Sequence, residues 1–296
     1  MSLVATLVCR PTAPKLDADV LATVSAALGT EDPARILSKG VAADLTVAGD
    51  SAATARAQIV SALDGLPVDV FVQPTEGRRK RLLIADMDST MIRQECIDEL
   101  AAELGLKEKI SEITERAMRG EIDFEPALKE RVGLLKGLDV GQVESVLNTR
   151  IQLMPGGRTL VQTMKANGAY CALVSGGFTR FTGPVAAMIG FDENQANVLL
   201  EEDGKLNGEV QMPILGREAK RQRLNELNAE KGLTASETMA VGDGANDLAM
   251  LETAGLGIAY RAKPAVAEAA DARVDHGDLT ALLYIQGYSE AEFVLS

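Results

Sequence analysis

The sequence is poor in several side chains on which whole classes of chemistry depend. It holds one histidine, His276, in 296 residues, so no multi-histidine metal site can form and only one partner exists for a Ser-His-Asp or Cys-His arrangement. Cysteine occurs three times, as Cys9, Cys96 and Cys171. An odd number at wide spacing gives neither a disulfide framework nor a zinc motif, and fits a reducing cytoplasm. Positive charge is in deficit: 30 basic against 43 acidic residues leave a net charge of −13, a field that disfavours nucleic acid and anionic membrane. The partner is expected to be small or to carry cations. No apolar run reaches the roughly 18 to 20 residues of a spanning helix, and no basic stretch followed by an apolar run and a cleavage site opens the chain. A soluble, unprocessed cytoplasmic protein is expected. What is plentiful is apolar side chain, 46% of the residues, enough for two or three folded domains. With histidine and cysteine so scarce, carboxylates must carry most of the chemistry.

Residues 1–73 read as a strand at 3–9, a helix after Lys15, a pair of strands within 34–47, a second helix and a strand at 68–72. That βαββαβ order is a ferredoxin-like module. The stretch 73–81 combines Pro74, Gly77 and the basic run Arg78-Arg79-Lys80-Arg81 without an apolar stripe, and reads as a domain linker. Beyond it come apolar strands each followed by a helix, at 82–85, 172–174, 238–241 and 256–259, the pattern of a parallel α/β sheet. Between the first two strands, 92–153 has helical apolar spacing and reads as an inserted helical domain. Residues 197–212 alternate apolar and polar around Asp203-Gly204, a β-hairpin signature. The domains expected are therefore 1–75, a linker at 76–81, a core of 82–91 with 154–296, and the insertion at 92–153.

The chemistry concentrates at strand ends, where ligands bind in open α/β sheets. Asp86-Met87-Asp88-Ser89-Thr90 directly follows the first core strand; if the chain turns there, one carboxylate can attack while the other handles protons. Taken alone, the same residues could form a turn with an aspartate cap. Val241-Gly242-Asp243-Gly244-Ala245-Asn246-Asp247 follows another strand. It would place Asp243 opposite Asp86, a carboxylate pair that suits Mg²⁺, and it could equally serve as a turn capping the next helix. Ser175-Gly176-Gly177-Phe178 lies at a third strand end, where backbone N–H groups and the Ser175 hydroxyl could cradle phosphate. Lys220 lies in a helical stretch at 216–231 among other basic residues that compete for any role. His276, beside Asp275 and Asp278, reads as structural or exposed.

The order of these motifs resembles the haloacid-dehalogenase (HAD) superfamily of aspartyl-phosphate phosphotransferases, with the helical insertion resembling its cap. Within it, Glu95, Ala117-Met118-Arg119-Gly120 with Asp123-Phe124, and Arg131-Val132-Gly133-Leu134-Leu135-Lys136-Gly137 resemble the cap signature of the phosphoserine phosphatases. The first 73 or so residues resemble the amino-acid-binding ACT module. The likeness implies a Rossmann-like core with a parallel sheet and a helical-bundle cap, preceded by an ACT-like domain. It implies Asp86 as nucleophile and Asp88 as acid and base. Asp86, Asp243 and the Asp88 carbonyl would hold Mg²⁺. Ser175, Gly176 and Lys220 would bind phosphate, and Asn246 and Asp247 would order the metal's surroundings, with Asn246 also at the substrate. Arg131 would take the substrate carboxylate and Glu95 its ammonium, with Met118 and Phe124 as pocket walls. The implied activity is hydrolysis of O-phosphoserine, the final step of serine biosynthesis. Another small phosphomonoester, transfer to homoserine, or a sensor with an inert phosphatase domain are the alternatives. A homodimer through the amino-terminal domain is left open.

Overall fold

The structure is a computed structural model and describes residues 2–295. Its contacts divide the chain into two compact units. The first opens with β1 (Leu3–Cys9), α1 (Ala18–Leu28), β2 (Arg35–Ser38), β3 (Ala42–Val47), α2 (Ala52–Leu63) and β4 (Val68–Pro74), the expected βαββαβ order. The sheet runs β2-β3-β1-β4, with β1 antiparallel to both neighbours. Every residue of β1 is buried, as expected of a central strand whose one polar side chain is Thr6 and which is covered on both faces. Leu3, Ala5, Leu7 and Cys9 join Val24 and Ile59 of the two helices in one core. On the alternate positions, Thr6 donates to Asp44, and Arg78 donates to both of them and to the Ile285 carbonyl.

The second unit begins at Arg81 with β5 (Leu82–Ala85), followed by α3 (Cys96–Glu103), α4 (Lys107–Met118), α5 (Phe124–Leu134) and α6 (Val140–Thr149). These four helices are the insertion expected at 92–153. The chain enters and leaves it side by side, through an antiparallel bridge between Ile92 and Leu153. Next comes α7 (Gly157–Ala166), which packs with the first unit. The chain then continues through β6 (Tyr170–Phe178), α8 (Thr179–Ile189), β7 (Glu193–Asn197), β8 (Leu199–Glu202), β9 (Lys205–Val210), α9 (Arg217–Lys231), β10 (Thr238–Gly242), α10 (Leu248–Thr253), β11 (Gly257–Tyr260), α11 (Pro264–Ala269), β12 (Ala272–Val274) and α12 (Ala281–Ile285). The main sheet has the order β12-β11-β10-β5-β6-β7, with parallel pairing from β11 through to β7.

The division differs from the sequence reading in placing Pro155–Gly168 and the chain from Val274 onward with the amino-terminal module. Polar contacts fasten the carboxyl-terminal part to that module. Asp69 of β4 accepts backbone N–H bonds from Asp275, His276 and Gly277, so His276 is held by its main chain. Arg78, read as part of a solvated linker, has only 9% of its side chain exposed. The sequence also gave no sign of the edge strands β7 and β12. β7 reads Glu-Asn-Gln-Ala-Asn, with no apolar alternation to report a strand. The expected hairpin is β8–β9; Asp203 and Gly204 both take positive φ, as a two-residue type I′ turn demands. It bonds to the α5–α6 connection through Gly137 to Leu206 and Leu206 to Leu138.

Candidate active site

Asp86 continues β5 by one residue, its N–H donating to the Val241 carbonyl of β10, so its carboxylate emerges at the carboxyl edge of the sheet. The chain then reverses. Thr90, Met91 and Ile92 all donate to the Met87 carbonyl, and Ser89 sits in the left-handed region at φ +57°, uncommon for a residue with a side chain. This turn brings Asp88 back against the start of α3, where the Cys96 N–H donates to it at 3.1 Å. The Asp86 and Asp88 side chains thus reach one cavity, together with Glu95, Met118, Phe124, Arg131, Ser175, Gly176 and Asn246.

Behind that cavity, Lys220 of α9 is fully buried and donates to Asp86 at 2.5 Å and to Asp247 at 2.6 Å. The other Asp247 oxygen accepts from the N–H groups of Asp243 and Gly244, which fixes the Gly-Asp-Gly loop. Thr90 donates to Asp243 at 3.3 Å. Carboxylate oxygens of Asp86, Asp243 and Asp247 lie within 4.8 Å of one another, all buried. Burial first, then the charge of Asp247, push Asp86 up to about 7 against the opposing pull of Lys220. Asp243 is raised by burial and by the charges of Glu95, Asp247 and Asp86. Burial opposes the charge of Lys220, but Asp247 and Asp86 together raise its pKa. One ammonium among three carboxylates leaves a deficit of positive charge, and the buried Asn246 Oδ1 has no hydrogen-bond partner among the described residues. Hard oxygen donors with excess negative charge fit a small divalent cation. Because both Asp247 oxygens are engaged, Asp86 and Asp243 are the carboxylates with capacity left to hold it. The Asp88 side chain lies outside this cluster.

The Ser-Gly-Gly segment is drawn out as the end of β6 instead of closing a turn. Ser175 is buried and its hydroxyl accepts from the Gly177 N–H. Glycine is needed here for space: a Cβ on Gly176 would meet Phe124 at 2.7 Å, and one on Gly177 would meet Asp88 Oδ2 at 2.7 Å. Asn197, which the sequence did not single out, braces the segment. Its amide donates to the Gly176 and Leu215 carbonyls and accepts from the Leu215 N–H. It lies in polar β7, where no pattern could have found it.

From the inserted helices, Arg131 of α5 is 3% exposed and Glu95, just before α3, accepts from the Ser89 hydroxyl at 2.6 Å. Burial raises Glu95. Burial, followed by the charge of Glu95, raises Asp88 well above the usual carboxylate range.

These shifts make a pH dependence with a definite sign. An aspartate raised in the fold binds more protons folded than unfolded between about 3.9, its unfolded value, and its folded value, so stability falls as pH climbs through that window; for Asp86 the window closes at about 7. Protein stripped with a chelator is expected to melt lower at pH 8 than at pH 6, and added divalent cation to recover most of the difference at pH 8. Thermal unfolding by circular dichroism checks this; a melting temperature that rises from pH 6 to pH 8 without cation would contradict it.

A parallel α/β sheet with a buried carboxylate at its central strand end, a buried lysine behind it and a helical insertion after it is the architecture of a haloacid dehalogenase-like hydrolase. The chain belongs to that family, whose model matches residues 83–252. More particularly, it is similar to the phosphoserine phosphatase of Streptomyces coelicolor, 41% identical over 253 residues, which cover 85% of this chain and 62% of that one. A solved phosphoserine phosphatase carrying a phospho-aspartyl intermediate analogue is 39% identical and superimposes with a TM-score of 0.67 over 70% of this chain and 98% of its own. A HAD-family hydrolase from Salmonella enterica serovar Typhi covers 96% of this chain and 98% of its own, at 30% identity and a TM-score of 0.84.

Proposed function

We propose that this chain is a Mg²⁺-dependent phosphoserine phosphatase, hydrolysing O-phospho-L-serine to L-serine and phosphate as the last step of serine biosynthesis. The observation that carries the reading is one cavity lined by Asp86, Ser175 and Gly176 together with the opposite charges of Glu95 and Arg131. A phosphate suits the first group, and an amino acid's carboxylate and ammonium suit the second.

Asp86 attacks phosphorus in line, forming an aspartyl-phosphate as the bond to the serine oxygen breaks. Asp88, kept protonated by its burial and the nearby Glu95 charge, gives its proton to that oxygen. Water then attacks phosphorus, Asp88 takes the water's proton, and Asp86 is freed with release of phosphate. Ser175, the Gly176 N–H and Lys220 hold the phosphoryl oxygens. Arg131 forks onto the substrate carboxylate and Glu95 accepts from its ammonium, with Met118 and Phe124 closing the sides. Asp86, Asp243 and the Asp88 carbonyl would hold Mg²⁺, which supplies the positive charge that lets a phosphate dianion approach carboxylates. Cytoplasmic location belongs to this reading. So does pairing of two copies through the amino-terminal module, where Ile36 on edge strand β2 is 51% exposed.

The test is phosphate release from phosphoserine, phosphothreonine and p-nitrophenyl phosphate, with and without Mg²⁺. Phosphoserine is expected to be preferred by at least about tenfold in kcat/KM, the scale of a lost charged hydrogen bond, and only with the cation present. Equal turnover of the aryl phosphate would overturn the substrate assignment.

A further inference from the structure

Among the described residues, no carboxylate holds Arg131. Its Nε donates to the Ala127 carbonyl one turn back on α5 at 3.1 Å, and its Nη1 donates to the hydroxyl of Thr114 on α4 at 3.0 Å. The Thr114 hydroxyl has one proton and two acceptors within reach of its oxygen, Asp98 Oδ1 at 2.8 Å and the Ile110 carbonyl one turn back on α4 at 3.0 Å. The other Asp98 oxygen accepts from the Ser111 hydroxyl at 2.6 Å. Whichever of its two acceptors takes the proton, Thr114 offers Arg131 a lone pair, and the charged, nearer Asp98 is the stronger acceptor. Thr114 and Arg131 are 2% and 3% exposed, so water does not substitute for either bond.

We infer that Thr114 is a positioning residue for substrate recognition: its hydroxyl, interposed between Asp98 and Arg131, fixes the guanidinium while leaving its charge and remaining N–H groups for the substrate carboxylate. Two of the five guanidinium donors are spent on neutral acceptors. Asp98 still contributes its field, but through a hydroxyl. A direct pairing with it would occupy the same fork that a carboxylate ligand needs. The inference rests on the proposed role of Arg131 and deepens it, since it says what keeps that residue selective.

The experiment compares Thr114→Val, which keeps the shape and removes the hydroxyl, with Thr114→Ser, which restores it. Arg131→Ala is run alongside, and each protein is assayed with Mg²⁺ on phosphoserine and on p-nitrophenyl phosphate. Thr114→Val is expected to raise KM for phosphoserine by about 10- to 30-fold, the scale of a hydrogen bond to a charged group, with kcat within about threefold and aryl phosphate turnover within about twofold of wild type. Thr114→Ser is expected to return KM to within about threefold. If Arg131→Ala is selective for phosphoserine but Thr114→Val matches wild type, or loses equally on both substrates, the positioning role is overturned while the reading of Arg131 stands. If Arg131→Ala itself loses equally on both, that reading falls and the role of Thr114 falls with it.

Discussion

Asp86→Asn is expected to lower phosphoserine turnover by at least about a thousand-fold with the fold intact, because an amide is no nucleophile toward phosphorus. The side chain is 6% exposed and is held by Lys220 at 2.5 Å. An asparagine of nearly the same shape can still accept from the lysine through its carbonyl oxygen, so the substitution removes reactivity more than structure. It also removes one of the two carboxylates with capacity for a cation, and Mg²⁺ affinity should fall in parallel. Single-turnover kinetics with phosphoserine, together with far-UV circular dichroism, check both halves. Residual turnover above about one part in a thousand would move the nucleophile elsewhere.

The second large effect is expected from Lys220→Met. Lys220 is fully buried between Asp86 and Asp247, and removing one member of such a group leaves buried charge uncompensated at a cost of about 3 to 5 kcal/mol. The loss should be greatest near pH 8 and shrink toward pH 5.5. Without the ammonium Asp86 is raised further, and it sheds the penalty by binding a proton as the pH falls. Turnover should drop by about a hundredfold or more, as when one preorganised charge at a transition state is deleted. Urea unfolding at the two pH values and kcat at saturating Mg²⁺ measure the two effects. A variant equally stable at both pH values would show that Lys220 does not compensate these carboxylates.

Much of this site could be read from sequence because its chemistry sits on short contiguous segments whose secondary structure is itself legible. A buried strand such as Leu82–Ala85 announces itself by apolar content, and the residues at its carboxyl end must lie at the sheet's carboxyl edge; the placing of Asp86, Asp243 and Ser175 there follows from that rule. The ferredoxin-like order, the helical insertion and the Asp203-Gly204 hairpin were likewise local patterns. Lys220 was a different matter. On α9 it is one of several basic residues, and only the packing of that helix shows that it alone of them is fully buried, against carboxylates 134 and 27 positions away.

What tertiary structure alone decided were partners. Period and propensity report which way a side chain faces but not what faces it. The bracing of the Ser-Gly-Gly segment by Asn197, the Asp98–Thr114–Arg131 relay and the cradle of Asp69 around the backbone of 275–277 therefore had no sequence signal. The same limit explains the unit boundaries. Residues 155–168 and the chain from Val274 onward read locally as more α/β core. The latter is fastened to the amino-terminal module by Arg78 on the Ile285 carbonyl and by Asp69 on the backbone N–H groups of 275–277, and the former is bonded to the latter through the Leu279 N–H on the Pro155 carbonyl. The sequence by itself determined the strand ends and the carboxylates on them, because those are fixed by neighbours along the chain. The pairings that hold and tune them are set by residues far apart in sequence, and only the folded chain brings those together.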